Sequence, residues 1–236
     1  MAIFFYIILG ILPSLVWLSF FLREDIHPES NQMITKVFLY GLIAASLAII
    51  AGVAIRLSPL GSFFDNSLWL NMVLKYFLIV AFIEELSKYI VVRKIAIPDP
   101  EFDEPLDAML YMVIAGLGFA AVENIFYLIG EAQPVINTLI LTTLRFVGAT
   151  FLHALCGGII GFFLAFSFFE SKNKILLITA GILLAVFLHG VFDISIIKLR
   201  GAIQISFPSF LLLGMGIFVF WGFQKLKTIA SICKLK

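Results

Sequence analysis

Residues 68–92 read LWLNMVLKYFLIVAFIEELSKYIVV. The run is long enough to cross a bilayer, for which about 20 apolar residues suffice. Its centre nevertheless holds Glu84 and Glu85 side by side. On insertion scales each charge at the middle of a membrane helix costs about 2.5–3.5 kcal/mol, and adjacent carboxylates repel one another. A segment that only had to span a membrane has no use for such a pair, so it is the first pointer to function.

The composition supports a membrane setting. Of 236 residues, 62% are hydrophobic and 13% charged, against about 45–50% and about 25% in soluble globular domains. Mean hydropathy is +1.10. A net charge of +1 gives no pull toward nucleic acid. Cys156 and Cys233 both lie in apolar stretches, which argues against a disulfide framework or a cysteine metal site. The N-terminal MAIFFYIILGILPSLVWLSFFLR has no basic leading region and reads as a retained first span.

Further apolar stretches are Ala2–Leu22, Val37–Ile55, Leu106–Ile129, Pro134–Phe169, Ile175–Ile197 and Phe207–Phe223. As one helix Pro134–Phe169 would be about 54 Å long, beyond a hydrocarbon core of about 30 Å. A break near Arg145–Thr150 is therefore expected, with Arg145 reaching out to an interface. Glu85 stands eight residues before Arg93, His153 eight after Arg145, and His189 nine before Lys198. Each is then about 12–14 Å from a polar boundary. Only an eight-span threading puts these boundaries on one face. The lysines Lys225, Lys227, Lys234 and Lys236 then place both termini in the cytoplasm by the positive-inside rule. The predicted fold class is all-α: a polytopic cell-membrane protein of about eight transmembrane helices around an intramembrane polar cavity, one domain over residues 1–236. The polar loop Arg93–Glu104 (RKIAIPDPEFDE) reads as a solvated connection rather than a cap on a site.

Polar residues at membrane depth come from four of these stretches: Glu84, Glu85 and Lys88; Glu123, Asn124 and Tyr127; Arg145 and His153; His189 and Asp193. Glu84 and Lys88 are i,i+4 and so share a helix face, which predicts that Lys88 neutralises Glu84. By the same spacing Asp193 is expected to orient His189. Ala149, His153, Gly157 and Gly161 recur every fourth residue. This small-residue ridge lets a neighbouring helix approach closely. Taken singly, Tyr127 reads as an interfacial aromatic, Asn124 as a helix bridge and each histidine as a packing group. Together they are too many costly groups for structure alone and point to a polar cavity.

A carboxylate beside another carboxylate in low dielectric suits a general base, and the imidazoles can hold water, move a proton or donate to an oxyanion. Neither Ser87 nor Cys156 is paired as a nucleophile by spacing. An activated-water hydrolase fits best. Glutamate and histidine also ligate Zn²⁺, so a metal-assisted hydrolase remains open. Proton- or ion-coupled transport and non-catalytic binding remain as alternatives.

The ordered set Glu84-Glu85-x-x-Lys88, Gly118-Phe119-Ala120 leading to Glu123-Asn124-x-x-Tyr127, Arg145 with His153 and Gly157, and His189-x-x-x-Asp193 resembles the motifs of PrsW-type intramembrane proteases. These belong to the wider superfamily of CAAX prenyl proteases and bacteriocin-immunity-type membrane proteins. The match covers about residues 84–193. The resemblance implies peptide-bond hydrolysis of a membrane-anchored protein within the lipid bilayer. Site-1 cleavage of an anti-sigma factor is the activity associated with such proteins. It implies Glu84 as the base, assisted by Glu85 and His153, with His189 at the oxyanion. Glu123, Asn124, Lys88, Asp193 and Arg145 would support them. No cofactor is expected, because no span supplies a His-x-x-x-His pair; were Zn²⁺ present, Glu84, Glu123, His153 and His189 would be its ligands. Prenyl proteases carry F-x-x-x-H where this chain has Glu123-Asn124-x-x-Tyr127, which argues against a prenylated substrate.

Overall fold

A computed structural model describes residues 2–64, 69–131, 134–169 and 173–229. Lys234, Lys236 and Cys233, and Leu68 at the start of the glutamate-bearing stretch, lie outside the described residues. The described chain is helical, with no strand. Its helices are α1 (Ala2–Phe21), α2 (Asn31–Leu57), α3 (Pro59–Phe64), α4 (Trp69–Leu74), α5 (Phe82–Val91), α6 (Pro105–Glu131), α7 (Val135–Arg145), α8 (Phe151–Phe169), α9 (Lys174–Lys198) and α10 (Ala202–Lys227). Three π-helical segments, Lys75–Ala81, Val92–Ala96 and Phe146–Thr150, join or extend neighbouring α-helices without interrupting them.

Among the described residues six helices are long and apolar enough to cross a membrane: Ile3–Glu24, Asn31–Leu57, Pro105–Gly130, Val135–Phe168, Lys174–Lys198 and Ala202–Lys227. A seventh rod, running from Trp69 through the π turns to Ala96, carries Glu84, Glu85 and Lys88. The protein is thus an all-α polytopic membrane protein. Its outer surface is apolar, with residues such as Ile43, Leu47, Phe210 and Ile217 exposed. That arrangement suits a hydrocarbon solvent and would be a liability in water.

The span count corrects the expectation of eight. Val135–Phe168 is one rod of 34 residues. The change of direction expected at Arg145–Thr150 is replaced by the π turn Phe146–Thr150, and backbone dihedrals stay helical on both sides of it. Arg145 is no interfacial boundary either. Its side chain is only 11% exposed and is neutralised inside the protein by Glu123. The depth argument therefore fails, since it used Arg145 as a membrane edge. The expectation that both termini share one face falls with it: Lys227 Nζ lies 2.7 Å from Glu24, so the C-terminal ends of α1 and α10 meet. The first residues of α1 and the last of α10 then lie at opposite ends of the bundle.

α6 forms the centre. From Leu106 to Ala121 nearly every side chain is buried, as expected of a helix apolar on all sides. The small-residue ridge packs α8 on it as anticipated. A Cβ at Gly157 or at Gly161 would stand 2.5 Å from the carbonyl oxygen of Met112 or of Ala108. Only glycine permits that approach, and it brings His153 against α6.

The loop after Val92–Ala96 stays a connection. Lys36 pairs with Asp99 at 3.4 Å, the Ser30 N–H donates to Glu101 at 3.2 Å, and His27 meets Glu104 at 2.5 Å. Glu123 lies 16 residues further along α6 than Asp107, a rise of about 24 Å. The loop therefore does not cover the polar centre.

Candidate active site

The rods bring all the motif residues to one centre. Glu85 and Lys88 have no exposed side-chain surface, and their charges pair at 2.7 Å. Lys88 Nζ also lies 2.6 Å from His153 Nδ1 and 4.6 Å from the centroid of the Phe119 ring. An ammonium has only hydrogens to offer. His153 Nδ1 therefore accepts, and the imidazole hydrogen sits on Nε2, where it donates to Glu123 Oε2 at 2.8 Å. Arg145 Nη2 donates to the same oxygen at 2.9 Å, and Arg145 Nε to Asn124 Oδ1 at 2.6 Å. On the other side, His189 Nδ1 donates to Glu85 Oε1 at 2.7 Å. One hydrogen-bonded chain thus runs Arg145–Glu123–His153–Lys88–Glu85–His189.

Two expected pairings are corrected. Lys88 takes Glu85 at i,i+3, not Glu84 at i,i+4. Either spacing is within reach on a helix; His153 and Phe119 draw the ammonium to the Glu85 side. Glu85 rather than Asp193 orients His189. The Asp193 carboxylate stands 3.6 Å from His189 Nε2, beyond hydrogen-bond distance.

Glu84 is left apart. Its Oε2 is buried without a hydrogen-bonding partner and lies 3.8 Å from His189 Nε2. Glu85 Oε2 likewise lacks a partner. The residues at the open side of the centre are Glu84, Glu123 and Asp193, whose side chains are 13%, 20% and 23% exposed. The inner wall of Glu85, Lys88, His153 and His189 is closed.

Asn124 acts as the helix bridge expected of it. Its Nδ2 donates to Gly10 O of α1 at 3.2 Å and to Thr150 Oγ1 at 2.9 Å. Tyr127 is half-exposed, and the Arg145 guanidinium lies 4.0 Å over its ring. Ser87 donates to the carbonyl of Glu84 at 2.8 Å, the back-bond common to serines in helices. The buried Cys156 thiol lies within 4.8 Å of ligand atoms of Glu85 and His189. Sequence reasoning passed over Trp17 and Thr150, because neither carries a charge or belongs to a spaced motif.

A family model described as PrsW family intramembrane metalloprotease matches residues 29–222. The chain belongs to the PrsW protease family. Protease PrsW of Bacillus subtilis is 28% identical over 228 residues, covering 94% of each chain. Protease PrsW of Geobacillus kaustophilus is 31% identical over 190 residues, covering 78% of this chain and 76% of that protein. Protease PrsW of Clostridioides difficile is 26% identical over 199 residues. No solved structure matches. The family description names a metal, and the PrsW motif residues include a donor set for one. Ligand atoms of Glu84, His153 and His189 lie within 4.8 Å of one another. Two imidazoles and a carboxylate whose buried oxygen has no partner are the donor types of a catalytic zinc site, and they fit one once His153 gives up a hydrogen bond, since Lys88 and Glu123 engage both of its nitrogens. Glu123 is not among them; Arg145 and His153 both donate to its Oε2.

Proposed function

We propose that this protein is an intramembrane endopeptidase in which Glu84 is the general base that activates water for attack on a peptide bond. The observation that carries the reading is the difference between the two glutamates. Glu85 has no exposed surface and is tied through Oε1 to Lys88 and His189, whereas Glu84 Oε2 has no hydrogen-bonding partner and belongs to a side chain that is 13% exposed at the open side. A base must be within reach of the water it deprotonates and not be neutralised by a fixed cation.

In this reading Glu84 removes a proton from water as the oxygen attacks the scissile carbonyl carbon. His189 is held by Glu85 through Nδ1 and turns Nε2 toward the reacting centre. With a proton on Nε2 it donates to the developing oxyanion. When the C–N bond breaks, the proton on Glu84 passes to the leaving amine. Lys88 and Glu123 hold the His153 ring between them, so it lines the centre in one orientation. Glu84, His153 and His189 would hold a divalent metal, which would supply polarisation of the water and the carbonyl. We favour the glutamic type because both nitrogens of His153 are already hydrogen-bonded, to Lys88 and Glu123.

The substrate class is a membrane-anchored protein. Cleavage of an anti-sigma factor at its first site, and kinship with the CAAX prenyl and bacteriocin-immunity proteins, are what the resemblance to PrsW-type proteases implies. Comparative membrane proteomics of wild type against Glu84→Gln tests the function: anchored proteins should accumulate uncut in the variant. Normal processing by Glu84→Gln, or proton flux in proteoliposomes without any cleavage, would overturn it. Metal content of the purified protein, alongside cleavage after chelation, separates the two catalytic types.

A further inference from the structure

Trp17 lies in α1, away from every charged motif. Its Nε1–H donates to the carbonyl of Phe146 at 2.9 Å. Its ring stacks on Phe151 with centroids 4.2 Å apart and planes at 15°, and on Phe146 at 5.5 Å and 26°. Phe146 and Phe151 bracket the π turn Phe146–Thr150. Gly10, two helical turns earlier on the same face of α1, accepts from Asn124, which also bonds Thr150. Trp17 thus meets the turn at both ends, and Gly10 is joined to it through Asn124 of α6.

The turn itself has a geometric consequence. A π segment is an α-helix that has absorbed one extra residue, and such segments recur at functional sites. Arg145 and His153 are eight residues apart. In a plain α-helix their directions would differ by about 80°. With one residue absorbed they stand as if seven apart, about 20° from alignment. Both then reach the same oxygen, Glu123 Oε2, at 2.9 Å and 2.8 Å. Where a ladder passes from α to π and back, a carbonyl is left without a ladder donor and needs one from elsewhere.

We propose that Trp17 is a positioning residue: its indole N–H holds the Phe146–Thr150 turn in its wide form, and through that turn it sets Arg145 and His153 together on Glu123. This rests on the reading of the Glu84 centre as catalytic.

The test uses the full chain in nanodiscs. Trp17→Phe keeps a stacked ring and removes only the donor; Trp17→Ala removes both. For Trp17→Phe, amide hydrogen exchange should quicken within residues 146–153 and nowhere else. kcat on a membrane-anchored model substrate should fall about ten-fold, the scale of one buried hydrogen bond, with KM nearly unchanged. Trp17→Ala should also lower Tm. Quicker exchange with normal kcat would reduce Trp17 to a structural role and overturn the proposal. Lower kcat with unchanged exchange would overturn the route through the turn. If wild type cleaves nothing, the protease reading fails, while the exchange result still decides whether Trp17 holds the turn.

Discussion

Lys88 and Glu85 form a fully buried ion pair of 2.7 Å, and Glu84, one residue away, has no part in it. The two glutamates should therefore fail in different ways. Glu84→Gln should leave Tm close to wild type and abolish cleavage. Glu85→Gln leaves the Lys88 ammonium buried without its counter-charge, and breaking a buried pair from one side costs about 3–5 kcal/mol. Thermal unfolding in detergent, read beside cleavage, checks both. Equal losses of stability would contradict the assignment.

The converse change is informative because desolvation penalises an unpaired charge more than it rewards a pair. Lys88→Met alone should destabilise strongly, leaving Glu85 charged and buried. The double variant Glu85→Gln/Lys88→Met should recover most of that loss. Activity should not return, since His153 Nδ1 loses its donor and His189 its carboxylate. A double-mutant cycle on unfolding free energy measures the coupling.

Packing of α8 on α6 leaves no room at Gly157. A methyl there would stand 2.5 Å from the Met112 carbonyl oxygen. Backbone must move to admit it, so Gly157→Ala should cost about 1–3 kcal/mol. It should also slow cleavage, because His153 rides on the same face of α8. Gly52→Ala, where a Cβ meets nothing within 4 Å, is the control expected to unfold as wild type does.

The α1–α2 connection should respond to pH. Burial raises the Glu29 carboxyl from its ordinary 4.5 to about 7, against the lowering effect of the Tyr111 hydroxyl that donates to it. Between those values the folded form binds more protons than the unfolded one, so unfolding free energy falls as pH rises. The contribution is fully present below about pH 4.5 and lost as pH passes about 7. Protection factors for residues 25–30, corrected for intrinsic exchange, should be higher at low pH than above neutrality. Glu29→Gln should flatten that dependence.

Much of this centre was legible in the chain. Charges inside apolar runs are costly wherever the runs pack, so Glu84, Glu85, Glu123, His153 and His189 stood out before any contact was known. The ridge through Gly157 and Gly161 was legible too, since four-residue spacing maps directly onto a helix face. The break expected at Arg145 is absent, and the sequence does not reveal this because a charge at the end of an apolar run looks the same whether it meets water or a buried carboxylate.

The sequence by itself determined that this is an all-helical membrane protein and which side chains are costly at membrane depth. Tertiary structure alone decided the partnerships: Lys88 with Glu85, His189 with Glu85, and Arg145 with Glu123 across a π turn gripped by Trp17. The physical reason is that helical periodicity limits a residue to a face and leaves i,i+3 and i,i+4 partners equally near. The choice between them is made by groups on other helices, whose positions no spacing within one helix encodes.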